Sequence, residues 1–204
     1  MSAHSASTLS PDEALQRLKD GNERFLAGTA RFLTAQSDIF AELAKGQQPF
    51  ATILTCSDSR VPPELIFDAG FGELFIIRVA GNVVSPEIAG SLQYAGQHLH
   101  TPLFVVLGHT GCGAVGAAID SRLHGTRQLS RIQLLVDSIL PGIADVDLEL
   151  TPEKMLAQAV EANVRWSVRQ ILESPEVRGR RDDGSVKLVG AVYEIATGRA
   201  RLLQ

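Results

Sequence analysis

Apolar residues recur along this chain in two periods, and the change from one to the other marks out its elements. From Ser10 the spacing is helical. Ser10-Pro11-Asp12-Glu13 reads as a capping box with proline at the first helical position, and Leu15, Leu18, Phe25 and Leu26 give the following helix an apolar face. A second helical segment is predicted from about Ala35 to Ala44, with Gly46 placed as a C-cap. The period then shortens. "FATILTC" (50–56) is brief, apolar and β-branched, bounded by Pro49 and a polar cluster, and predicts a buried strand. "ELFIIRVA" (73–80), "PLFVVLG" (102–108) and "KLVGAVYEI" (187–195) predict three more, and "RARLLQ" (199–204) a weaker fifth. Thr197-Gly198 between the last two suggests a hairpin. Helices are predicted between the strands: one capped by Ser85-Pro86-Glu87, one starting near Cys112, one over 130–140, and a long one from Thr151-Pro152-Glu153 to about Glu173.

Strands that alternate with helices imply a parallel sheet covered on both faces, and near-continuous apolar strands agree with that burial. The expected class is α/β: a mostly parallel central sheet of four to five strands flanked by helices, with an N-terminal helical arm. A single domain over 1–204 is expected, with a loose tail at 1–9 and the arm at 10–46. In such sheets ligand sites lie beyond the carboxyl ends of the strands.

Composition narrows the function classes. The net charge is −4, which offers no basic surface for nucleic acid or anionic membrane. No apolar run approaches the ~20 residues of a membrane span, and MSAHSAST lacks the basic-then-apolar order of a secretory signal. A cytoplasmic protein is expected. Its two cysteines, Cys56 and Cys112, are expected to be reduced. Each alone would pass as a small buried hydrophobe, but each falls at a predicted strand end beside other metal-binding side chains.

The first strand runs out into Cys56-Ser57-Asp58-Ser59-Arg60, and the third into His109-Thr110-Gly111-Cys112. With both strands parallel, both ends open on one edge of the sheet. Cys56, Asp58, His109 and Cys112 then converge as candidate ligands, and thiolate, imidazole and carboxylate are the ligand set of zinc. Gly111-x-Gly113-x-x-Gly116 also resembles a dinucleotide-binding turn. That reading wants an acidic residue ending a strand about twenty positions on, and Asp137 lies instead in a segment of helical period. Gly111 and Gly113 are read as turn residues and Gly116 as a small residue for helix packing.

The paired motifs, Cys56-x-Asp58-x-Arg60 and His109-x-x-Cys112, resemble those of the β-class carbonic anhydrases. The similarity extends from about Glu13, through "GNERF" (21–25), to about Val192. The resemblance implies Zn2+ held by Cys56, His109 and Cys112, attack of zinc-bound hydroxide on CO2, and bicarbonate and a proton as products. It implies that Asp58 and Arg60 pair beside the metal, with Asp58 able to orient the hydroxide or, when released, to ligate zinc itself. Gln47, Phe75 and Tyr94 match the plant-type subgroup, where such residues line the CO2 pocket at a subunit interface. Ile53 stands where the other subgroup has an aromatic residue of a regulatory bicarbonate site, which argues against that control. A homodimer or homotetramer is implied, with the N-terminal helices embracing a neighbour. Neither nucleic acid nor membrane is expected as a partner. Hydrolysis of COS or CS2, and a non-catalytic zinc-stabilised module, are the alternative functions. His98, His100 and His124 are read as solvated or capping histidines.

Overall fold

Capping chemistry starts the first helix as the sequence expects. The computed structural model describes residues 9–31, 37–173 and 184–204. In α1 (Pro11–Leu26) the Ser10 hydroxyl accepts from the Glu13 N–H at 3.3 Å, and the Glu13 carboxylate accepts from the Ser10 N–H at 2.8 Å. The buried stripe is Ala14, Leu15, Leu18, Gly21 and Asn22. A Cβ on Gly21 would lie 1.9 Å from the Phe67 carbonyl oxygen, so only glycine admits this approach. Asn22 ties three segments together: its amide donates to the carbonyls of Ile66 and Gly198, and its oxygen accepts from the Ala200 N–H. α2 spans Ser37–Leu43. Ala35 and Gln36, where the sequence starts this helix, lie outside the described residues, as do residues 1–8 of the expected tail.

The strands are β1 (Ala51–Thr55), β2 (Leu74–Arg78), β3 (Leu103–His109), β4 (Lys187–Glu194) and β5 (Arg199–Leu202). They form one sheet in the order β2-β1-β3-β4-β5. The first three pairings are parallel, and β4–β5 is the antiparallel hairpin expected at Thr197-Gly198. β1 and β3 are buried along their whole length, as continuous apolar runs require. Around the sheet lie α3 (Pro63–Ile66), α4 (Pro86–Gln97), α5 (Gly113–His124), α6 (Arg131–Ile139) and α7 (Pro152–Leu172). The short α3 was not expected; its four residues are too few to show a period.

α7 lies against the sheet with its small-residue gaps filled. Cβ atoms on Gly108 and Gly190 would fall 2.5 and 2.9 Å from the Val164 methyls. The helix therefore sits closer to β3 and β4 than any larger residue would allow. One packing expectation fails: a Cβ on Gly116 would meet nothing within 4 Å, so that glycine is not there for close helix contact.

This strand order places the site. β1 connects outward to β2, and the chain then returns across β1 to β3. The winding reverses between β1 and β3, and a crevice opens beyond the carboxyl ends of such a strand pair. Thr55 lies opposite Leu107 in the register, so Cys56 and His109 leave the sheet side by side.

Candidate metal centre

Cys56, His109 and Cys112 are all buried, and one ligand atom from each lies within 4.8 Å of the others. Cys56 follows β1 directly. His109 ends β3, and Cys112 is the N-cap residue of α5 after a turn in which Gly111 has φ of 70°. That left-handed step brings the second sulfur back over the strand end, where a side-chain-bearing residue would be strained. Neither thiol forms a disulfide.

The imidazole is fixed by its far nitrogen. His109 Nδ1 lies 3.0 Å from the Thr110 carbonyl oxygen, which can only accept, so Nδ1 carries the proton and Nε2 keeps its lone pair. Nε2 is buried and has no hydrogen-bond partner. A buried acceptor without a partner costs on the order of 1–3 kcal/mol. Beside two thiols, a metal ion would remove that penalty. The Thr110 turn is itself held by β4, since its N–H donates to the Tyr193 carbonyl and its hydroxyl accepts from Ile195 N–H.

The two sulfurs share negative charge. Hydrogen bonding from Cys112 pushes the Cys56 thiol towards thiolate; burial opposes this, and His109 and the N–H groups of Gly81 and Asp58 assist. Cys112 is driven the other way, first by its bond to Cys56 and then by burial, although the Ala114 and Val115 N–H groups at the start of α5 partly offset this. Burial alone would lower the His109 pKa, but the adjacent Cys56 thiolate outweighs it and raises it. A divalent cation removes the need to share, because coordinated thiols deprotonate outright. The donor set therefore fits a metal ion that takes sulfur and nitrogen ligands.

Asp58 stands at the rim. Arg60 donates to it from Nε at 2.9 Å and Nη2 at 2.7 Å, one bond to each carboxylate oxygen, and from its backbone N–H at 3.0 Å. These bonds hold the carboxyl well below the usual carboxylate range. Asp58 Oδ2 is 3.9 Å from His109 Nε2, so the carboxylate faces the donor trio while bound to arginine. Sequence reading missed Arg78. At the end of β2 it donates from Nε to the Cys56 carbonyl at 3.0 Å and from Nη2 to the Asp58 carbonyl at 2.6 Å, pinning the ligand loop. An arginine closing the strand beside the first ligand strand was the available signal.

Gln47, Phe75 and Tyr94 lie elsewhere in the chain. Phe75 is in register with Thr52, four positions before Cys56 and so about 13 Å back along the strand direction. Tyr94 stacks on Phe75 and on His98, with ring centroids 6.1 and 5.0 Å away. Gln47 precedes β1 and lines a cavity of about 470 Å³ with Leu43 and Phe71. All three sit towards the amino end of the sheet. His98 is the C-cap residue of α4, and His124 pairs with Asp120 at 2.8 Å. Asp137 is on α6 rather than at a strand end, so the residue needed for dinucleotide binding is not in place.

Comparison with known proteins bears on the same residues. A model of the carbonic anhydrase family matches residues 51–200, which include all three donors, Asp58 and Arg60. Carbonic anhydrase 2 of Mycobacterium tuberculosis is 37% identical over 201 residues, covering 94% of this chain and 92% of that one. A carbonic anhydrase of Mycolicibacterium smegmatis is 34% identical, with 94% and 93% covered. The solved β-carbonic anhydrase CcaA superposes with a TM-score of 0.74 at 27% identity, covering 93% of this chain and 95% of that one. The chain belongs to the β-carbonic anhydrase family.

Proposed function

We propose that this protein catalyses the reversible hydration of CO2 to bicarbonate and a proton, with zinc held by Cys56, His109 and Cys112. One observation carries the reading: three buried donors within 4.8 Å of one another, one of them an imidazole nitrogen with no other partner. Zinc bound there supplies the Lewis acidity that makes hydroxide available from water near neutral pH.

The protein's own residues do the rest. The backbone N–H groups facing the two sulfurs moderate their charge. Thr110 holds His109 in one tautomer. Asp58, fixed by Arg60, would accept a hydrogen bond from the attacking hydroxyl at Oδ2 and so turn the hydroxyl's lone pair towards the carbon of CO2. Oxygen–carbon bond formation, as one C=O π bond of CO2 opens, gives bicarbonate, and the proton lost when water yields hydroxide leaves to buffer. Released from Arg60, the same carboxylate could itself hold the metal and would then close the site.

Gln47, Phe75 and Tyr94 are the proposed pocket residues, contributed by a neighbouring copy, since within one chain they lie at the other end of the sheet. Exposed Phe40, Leu65 and Phe71 near the β2 edge favour such a homodimer, or a homotetramer built from it. Among the described residues no helix is long and apolar enough to cross a membrane. Thiols kept free for a metal fit the reducing cytoplasm.

Zinc content measured together with CO2 hydration between neutral and alkaline pH tests the proposal. One zinc per chain and a rate that rises with pH are expected. Zinc-loaded protein that is inert towards CO2 would overturn it, and parallel assays on COS and CS2 would show whether another linear substrate is used.

A further inference from the structure

Helix α7 carries two polar side chains on its buried face. Asn163 and Ser167 are 1% and 0% exposed. Each donates one hydrogen bond to the main chain of a distant turn: Asn163 Nδ2 to the Gly81 carbonyl at 2.8 Å, and Ser167 Oγ to the Asn82 carbonyl at 2.9 Å. That turn is the short 3-10 segment Ala80–Asn82 after β2. Gly81 has φ of 71° and Asn82 of 45°. Two successive left-handed residues, one of them not glycine, persist only where their surroundings hold them. The Gly81 N–H donates to Cys56 Sγ at 3.4 Å. The turn is also crowded, because a Cβ on Gly81 would lie 2.8 Å from Ile139 Cδ1 and 3.1 Å from Ala114 Cβ.

Packing alone does not explain the amide. Asn163 Oδ1 and Asn82 Nδ2 are both buried without a hydrogen-bond partner. A leucine has the same branched shape as asparagine and would avoid that desolvation cost. What leucine could not do is hold the Gly81 carbonyl.

We propose that Asn163, assisted by Ser167, is a positioning residue for the metal thiolate. It fixes the Gly81 turn so that its N–H stays on Cys56 Sγ, withdraws charge from that sulfur and sets how strongly the sulfur donates to the metal. Hydrogen bonds to thiolate ligands tune a metal in this way. The inference rests on the reading of Cys56, His109 and Cys112 as a metal site and extends it to a helix that supplies no ligand.

The test is spectroscopic. Co2+ replaces zinc in the wild type and in Asn163→Leu, Ser167→Ala, Ser167→Thr and Ile171→Ala, and the thiolate-to-cobalt charge-transfer band is recorded for each. Zinc affinity is measured by chelator competition. In Asn163→Leu the band moves to longer wavelength, since a sulfur without its donor is richer in electrons, and zinc binds about 10- to 100-fold more weakly because the turn that orients the sulfur is no longer held. Ser167→Ala shifts the band less in the same direction, and Ser167→Thr, which keeps the hydroxyl, restores it. Ile171→Ala, a truncation on the same helix, lowers the melting temperature and leaves the band in place. Bands of Asn163→Leu and Ser167→Ala that superimpose on the wild type would overturn the inference and leave the metal site standing. If Asn163→Leu does not fold, the two Ser167 variants decide. A wild type with no thiolate band would remove the metal reading and this inference with it.

Discussion

Asp58 and Asp68 lie on either side of α3 and both pair with arginine, but the partners come from different distances along the chain. Asp58 meets Arg60, two residues on, and the Arg60 side chain is 54% exposed. Asp68 is reached by Arg24 of α1 at 2.5 Å and by Arg31 at 2.9 Å, and its own side chain is 5% exposed. It also accepts from the Arg31 N–H at 2.8 Å. A pair formed within one turn constrains little beyond that turn. One charged group can leave the other without unfolding anything, which suits the role proposed for Asp58. A pair that spans about forty residues does the opposite. It closes α1 and the chain after it on to the loop between α3 and β2, and it is buried enough that neither charge is easily abandoned.

The sharpest way to break this contrast is Arg60→Ala. Hydration activity should be abolished while zinc stays bound, because Asp58 is freed to approach the metal, and the melting temperature should barely move. Turnover near the wild-type value would refute the role given to Arg60. Asp68→Asn is the converse. It should leave kcat close to normal and destabilise the fold by about 2 kcal/mol, below the 3–5 of a fully buried pair because both arginines reach solvent. In a chain of this size that corresponds to a melting temperature lower by roughly 4–8 °C, read by calorimetry.

Acid should separate the two aspartates next. Burial alone would raise the Asp68 pKa, but hydrogen bonds from Arg24 and Arg31 outweigh it and lower it. A depressed pKa contributes stability that is complete above the unfolded value of about 3.9 and is lost as pH falls through the folded one. The wild type should therefore lose stability below about pH 4 more steeply than Asp68→Asn, in urea titrations at stepped pH. Equal slopes would show that Asp68 is not a stabilising carboxylate. The smallest effect is expected at Glu23, which meets Arg199 at 3.1 Å across 176 residues with both side chains more than half exposed. Glu23→Gln should change stability by ~0.5 kcal/mol or less. A larger loss would mean that sequence separation, rather than burial, sets what such pairs contribute.

Much of the fold was legible because its signals are local. The capping box at Ser10, the apolar runs of β1 and β3, and the Thr197-Gly198 turn each state their structure within a few residues. α3 was missed because one turn of helix carries no period. That Cys56, His109 and Cys112 come together was legible for a related reason: each lies at or within three residues of a strand end, and parallel strands deliver such ends to one edge. Gly116 misled, since a glycine in a helix reads as close packing whether or not a neighbour is there. Asn163 and Ser167 were not legible as site residues. They act on main-chain groups, and a carbonyl or an N–H leaves no mark in the identity of the residue that bears it.

The amino-acid sequence by itself determined the elements, the donor types and their places at the strand ends, because spacing and side-chain chemistry are properties of neighbours in the chain. Only the tertiary structure decided that Asp58 faces Arg60 rather than completing the donor trio, that the Gly81 N–H meets Cys56 Sγ, and that Phe75 and Tyr94 meet at the other end of the sheet. Those outcomes depend on distances between segments brought together by packing, and distance through space is the quantity that a one-dimensional pattern does not contain.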